Sequence, residues 1–180
     1  SILSPSSANS LVGLKPTTGS LSRSGVVPIS STLDTVGPMG RSVADVVTLF
    51  NAMVGFDGED PAMPRLSEDL RLIIRQAPTD NGTFGILTTY ADNMQYQNAL
   101  RLLSENGFNL QEVDFQNERH PRFSEFLGAE MKRDLVSYLQ KNASASVEID
   151  SVSTLQEFNL VDLEMRAPYG QALVDLMVDL

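Results

Sequence analysis

The hydrophobic positions of this chain fall into two regimes. Before residue 42 they show almost no amphipathic period; after it they recur at helix or strand spacing. Ser42 stands where a helix N-cap belongs, and Asp45 can return a bond to the exposed N–H groups behind it. Val43, Val46, Val47, Phe50, Met53 and Val54 then predict one buried stripe, closed at Gly55 by a left-handed cap. Residues 84–89 read as a strand, and Asp92 or Asn93 as the cap of a helix with Tyr96, Ala99, Leu100 and Leu103 on one face. Gly107 stops that helix, and residues 113–115 read as a second strand. Strand, helix and strand at this length predict a crossover joining parallel strands.

Residues 70–74 are a possible strand. Helical spacing returns at residues 123–140, with Phe123, Leu127, Met131, Leu135, Tyr138 and Leu139 inside and Glu130, Lys132, Arg133 and Asp134 on the wet side. Ser153 or Thr154, with Gln156 or Glu157, offers a capping box for a short helix through Leu160. Pro168 precedes a last helix whose inner face is Leu173, Val174 and Met177. That helix reaches Leu180 without a cap, which raises the expectation that the chain is part of something longer. The fold class expected is α/β, a mixed sheet flanked by helices. The 180 residues read as a single, incomplete domain: loops and a first helix over 1–61, then a βαβ unit and covering helices over 62–180.

The non-periodic region is a winding scaffold of Gly, Pro and hydroxyl residues. Gly permits backbone angles closed to other residues, and Pro fixes one. Long irregular backbone of this kind usually lines a site. The turn-rich stretch 56–65 carries Asp57, Glu59 and Asp60, but it lacks the downstream Glu of a calcium loop and reads as a solvated acidic turn. No Gly-rich phosphate loop joins the first strand of the βαβ unit to its helix, so nucleotide binding has little support.

Composition narrows the chemistry. A net charge of −10 disfavours nucleic acid as a direct partner, and no apolar run is long enough to span a bilayer. With Cys 0 there is no disulfide, thiolate zinc site or cysteine nucleophile, which fits a reducing, cytoplasmic setting. The one histidine, His120, sits in a polar loop and reads as a solvated residue rather than a base. No cofactor or metal is expected.

By Met39 the accumulated blocks resemble the amidase signature family. Ser1-Ile2 with Pro5, Gly13 to Thr17, Ser22-Arg23 with Gly25, Asp34 to Met39, and Arg41-Ser42-Val43 with Asp45 follow the family pattern in order. Gly55, Asp57, Asp60 and Pro61 extend it, and residues 153–159 and 167–171 look like segments of the peptide-amidase-like branch. Two departures stand out: Leu3 where many members have Arg, and Ser10 where many have Gly. Leu3 removes a charge near the site, so substrate inferences from Arg-containing relatives do not transfer.

The resemblance implies amide hydrolysis to acid plus ammonia or amine by a Ser-cisSer-Lys triad, with Ser1 as the nucleophile. The cis-serine and the catalytic lysine of the pattern lie upstream of its position. Lys15 falls in the Gly-Leu-Lys-Pro segment and is expected to be structural, as are Arg23, Asp34 and Arg41, while Gly13, Gly19, Gly25 and Gly37 shape turns. The chain alone is therefore expected to be inactive and to self-associate through uncovered surfaces. Its substrate would be a small-molecule or peptide amide. The alternatives are a glutamine-hydrolysing component of an amidotransferase, and a non-catalytic, truncated or degenerate homologue serving as a binding or structural piece.

Overall fold

The structure, a computed structural model, describes residues 2–63, 70–73, 82–114 and 120–180. The chain divides into two compact units, one of Ser1–Ile73 with Pro121–Leu180 and the other of Ile74–His120. Helices and strands both occur. Among the described residues the strands pair in two separate two-stranded sheets, one antiparallel and one parallel.

In the smaller unit, β3 (Thr83–Leu87) and β4 (Asn109–Val113) pair in parallel, with Thr83 opposite Asn109 and Leu87 opposite Val113. Between them lies α3 (Met94–Glu105), capped by the Asn93 side chain on the Tyr96 N–H. The βαβ reading of the sequence thus holds. The first strand ends at Leu87 and a 3-10 turn covers Thr88–Tyr90; the second strand runs over Asn109–Val113 rather than 113–115, Asp114 lying beyond its end and Phe115 outside the described residues. The Tyr96 hydroxyl accepts the Leu87 N–H at 2.7 Å and so pins the helix to the strand end. Phe84 and Phe108 meet edge to face with ring centres 5.2 Å apart. Gly107 has φ +84°, as a helix-terminating glycine should.

The larger unit opens with α1 (Leu3–Ala8), where the sequence reading expects loop. Leu-Ser-Pro-Ser-Ser-Ala has neither the period nor the propensity of a helix. Pro5 is tolerated because it sits in the first turn, where its missing N–H would have had no partner. β1 (Val12–Gly13) and β2 (Met39–Gly40) then pair antiparallel across the long scaffold loop. α2 (Val43–Met53) starts as expected, with a reciprocal capping box between Ser42 and Asp45. Its end differs: Val54 is extended, and Gly55 is not left-handed. Its stripe is also narrower than the spacing implies. Val46 and Phe50 are buried, whereas Val43 and Met53 are exposed. Residues 71–73 are irregular rather than strand, and Ile74 lies outside the described residues.

The helical part of this unit packs α4 (Phe123–Asn142), α5 (Val152–Leu160) and α7 (Ala172–Asp179) around Leu135, Val152 and Met177. Met131, Leu139, Leu155, Val174 and Val178 surround that centre. Each fully buried side chain of this size contributes about 1.5–3 kcal/mol. Gly128 lets the end of α7 approach, since a Cβ there would stand 2.7 Å from a Leu180 methyl. The capping box of α5 is Ser151 with Thr154, two residues earlier than the sequence pattern suggests. A short α6 (Leu163–Arg166) follows, and Leu173 of the expected inner face is exposed instead.

Candidate active site

Ser1 lies outside the described residues, so the site is built from Ile2 onward. Ile2 is half-buried and caps α1. Its carbonyl oxygen accepts two bonds, from the Ser6 N–H at 3.2 Å and from the Ser6 hydroxyl at 2.7 Å. Two glycines make room for it. A Cβ on Gly13 would collide with the Ser6 hydroxyl and stand 3.4 Å from an Ile2 methyl. A Cβ on Gly37 would collide with the Leu14 carbonyl and stand 3.3 Å from the Ile2 side chain. The sequence reading gives both glycines to turn geometry, yet neither has a positive φ. They are required by close approach of backbone and side chain. Gly19 (φ +84°) and Gly25 (φ +79°) do serve turns, closed by Ser20 N–H to the Thr17 carbonyl and Val26 N–H to the Arg23 carbonyl.

Charged groups hold the scaffold loop from both sides. Arg23 donates from Nε and Nη2 to the Asp60 carboxylate at 3.0 and 2.8 Å, and its N–H adds a third bond at 2.9 Å. Nη1 reaches the Ser31 carbonyl at 2.5 Å. The bonds from Arg23, followed by backbone donors, hold the Asp60 carboxyl well below the usual carboxylate range. Asp57 accepts the hydroxyls of Ser22 and Ser24, each at 2.6 Å. The sequence reading expects these two carboxylates to be solvated. They are instead the anchors of the Ser22–Arg23–Ser24 turn, and Asp60 is buried.

On the other side, Asp34 accepts the N–H groups of Ile29 and Ser30 at 2.7 and 2.8 Å. Glu130 of α4, which its spacing assigns to the wet face, is buried and takes the hydroxyls of Ser30 and Thr32. Burial works against its charged form, but the bonds from Ser30, Thr32 and Arg133 outweigh it and lower its pKa. Asp134 accepts the Ser31 N–H at 2.6 Å. The wet side of α4 is therefore its docking side toward the loop. Arg23 and Asp34 act as the loop-fixing residues that the sequence leads one to expect. Arg41 is exposed, as is Lys15, whose Nζ lies 3.4 Å from the neighbouring Pro16 carbonyl. His120 is exposed too.

Between the Arg23–Pro28 turn, the acidic turn and α4 lies a cleft of about 360 Å³. Val26, Pro28 and Tyr138 line it with apolar surface, and the ion pair of Lys141 and Glu59 stands at its edge. Arg23, Asp34, Asp60 and Asp134 also face it, each already engaged in the bonds above. Among the described residues, no group of three or more His, Asp or Glu side chains is placed to hold a metal.

The scaffold has known counterparts. A family model described as Amidase matches residues 1–178. The chain belongs to the amidase family. Its fold superposes over 100% of its length on an amidase family protein from Bacillus anthracis strain Ames, with TM-score 0.82 and 28% identity. A probable amidase of Arabidopsis thaliana is 54% identical over 68 residues, 38% of this chain. A glutamyl-tRNA(Gln) amidotransferase subunit of Paraburkholderia xenovorans is 45% identical over 83 residues, 46% of this chain. The matched stretches make up 13% and 17% of those two curated relatives, and the match covers 37% of the solved Bacillus anthracis chain. In this amidase-family chain the scaffold loop is anchored by carboxylates, of which Asp60 and Glu130 are buried.

Proposed function

We propose that this chain is the nucleophile-bearing part of an enzyme that hydrolyses a carboxylic amide through a serine acyl-enzyme, with Ser1 as nucleophile. The observation that carries the reading is the Ser1-Ile2…Pro5 run at the head of an amidase-family fold that superposes over its whole length. An amide carbon is a weak electrophile and a neutral serine a weak nucleophile, so the reaction needs a proton acceptor and an oxyanion site. In the amidase pattern a neutral lysine draws a proton from a cis-serine, which draws one from the nucleophile. The Ser1 oxygen attacks the carbonyl carbon, the amine leaves with a proton, and water then releases the acid.

The lysine and cis-serine of that pattern have no matching positions in these 180 residues, so this chain by itself is expected not to turn over amides. The deciding assay is ammonia release from a panel of small amides, peptide amides and glutamine. It uses the 180-residue chain and the full polypeptide that carries it, each with Ser1 and with Ser1→Ala. Activity of the full polypeptide, lost in Ser1→Ala, is the expected result. Activity of the short chain, or activity surviving Ser1→Ala, overturns the reading. The relatives named for glutamyl-tRNA(Gln) amidotransferase favour a second reading, in which glutamine is the amide cleaved. Release from glutamine alone in that panel would select it. A full polypeptide inert toward every amide would point to a non-catalytic homologue.

A further inference from the structure

Serines in helices often bond back to a carbonyl one turn earlier, and that alone means little. Ser6 differs in three respects. Its partner, the Ile2 carbonyl, belongs to the residue directly following Ser1 and also receives the Ser6 N–H, so both acceptor directions of that oxygen are used. The Ser6 side chain is buried, with a relative exposure of 3%. And it is walled in, because Gly13 lies so close that even a methyl group there would overlap the hydroxyl. The Ser6 carbonyl in turn accepts the Leu11 N–H at 2.8 Å, tying the same residue to the approach of β1. Ile2, held through its carbonyl by Ser6 and through its side chain by Gly13 and Gly37, has little freedom left.

We propose that Ser6 is a positioning residue for the Ser1 nucleophile: its hydroxyl, confined between the Ile2 carbonyl and Gly13, fixes the orientation of the residue to which Ser1 is bonded. This rests on the reading of Ser1 as the nucleophile. Ser6 touches neither substrate nor reacting atoms on this account. It removes the freedom that would let the nucleophile drift from attack geometry, where a displacement of about 1 Å can cost on the order of 100-fold in rate.

The test uses the full, amide-hydrolysing polypeptide with Ser6→Ala, and Ser6→Cys as a variant of similar volume with a weaker donor. Active sites are counted with a fluorophosphonate that labels an activated serine. Ser6→Ala is expected to lower both kcat per labelled site and the labelling rate by roughly 10- to 100-fold, with KM within about twofold. Ser6→Cys should fall in between. A purely structural role would reduce the labelled fraction and the melting temperature while leaving kcat per labelled site unchanged, and that result overturns the proposal. Ser1→Ala separates the two readings. Loss of all turnover in Ser1→Ala with normal kcat per site in Ser6→Ala refutes positioning alone. Turnover retained in Ser1→Ala refutes the nucleophile assignment.

Discussion

Asp60→Ala is the perturbation that reports most directly on what holds the loop scaffold. The Asp60 side chain is 3% exposed and that of its partner Arg23 11%, so the pair sits largely out of water. Truncation removes three bonds from Arg23 and one from the Ala62 N–H at 3.0 Å. It leaves a guanidinium that has lost its paired carboxylate but keeps the Ser31 carbonyl and the more distant charges of Asp34 and Asp134. Removing one partner of a buried pair costs about 3–5 kcal/mol, chiefly because the remaining charge is stranded. The retained carbonyl argues for the lower end, about 3 kcal/mol, or roughly a 100-fold shift in the folding equilibrium. The chain has no Trp, so urea unfolding is best followed by far-UV circular dichroism. Arg23→Ala and the double variant complete a cycle, in which the double should cost clearly less than the sum of the singles. Glu59→Ala, which removes only the exposed pair with Lys141, should leave the midpoint in place. A cost below about 1 kcal/mol for Asp60→Ala, or simple additivity, would refute a load carried by this pair.

Two further outcomes follow from the same geometry. Asp60 and Glu130 both have folded-state pKa values below their ordinary ones, so their contribution is fully present above the unfolded carboxylate range and is lost progressively from there as pH falls toward the lower folded-state values. The urea midpoint should hold from neutral pH to about 5 and drop below about 4, more gently in Asp60→Asn and Glu130→Gln; equal slopes in all three would contradict the assignment. Ser10 is the one non-glycine with positive φ among the described residues, at +55°. Ser10→Gly should therefore gain stability, by about 0.5–1 kcal/mol after the added chain entropy is subtracted from the relieved strain, and a loss in the same urea assay would refute this.

The elements most legible in the sequence are those whose signals are local. The Ser42/Asp45 box and the strand–helix–strand order need only a short window to be seen, and both are present, although the second strand stands four residues earlier than the pattern puts it. α1 is illegible for the opposite reason. Three serines and a proline among its six residues give little helical signal; the Ser6 hydroxyl bonded to the Ile2 carbonyl and the close Gly13 are contacts that no local pattern reveals. The left-handed cap expected at Gly55 fails because Val54 already turns the chain out of the helix in extended conformation. A glycine after a helix permits a left-handed cap without requiring one.

The site divides along the same line. The signature blocks name Arg23 and Asp34 as loop-fixing residues, but they name Lys15 and Arg41 equally, and those two are exposed. The loop's partners cannot be read with equal ease. Glu130 lies 100 residues from Ser30, and Asp60 lies 37 from Arg23. Helical periodicity assigns a charged residue to solvent by default, since it cannot see a partner arriving from elsewhere in the chain. The anchoring carboxylates on the described scaffold, two of them buried, answer to a different demand from the hydrophobic stripe. An irregular loop presents many backbone N–H and hydroxyl groups that no regular ladder satisfies, and each must find an acceptor if it is to be buried. Asp57, Asp60, Glu130 and Asp134 supply those acceptors, much as neighbouring strands would in a sheet. An acidic residue on the apparent wet face of a helix is thus a candidate loop anchor whenever the same chain carries a long run rich in Ser, Thr and Gly, and each such pairing can be tested by substituting the acid alone.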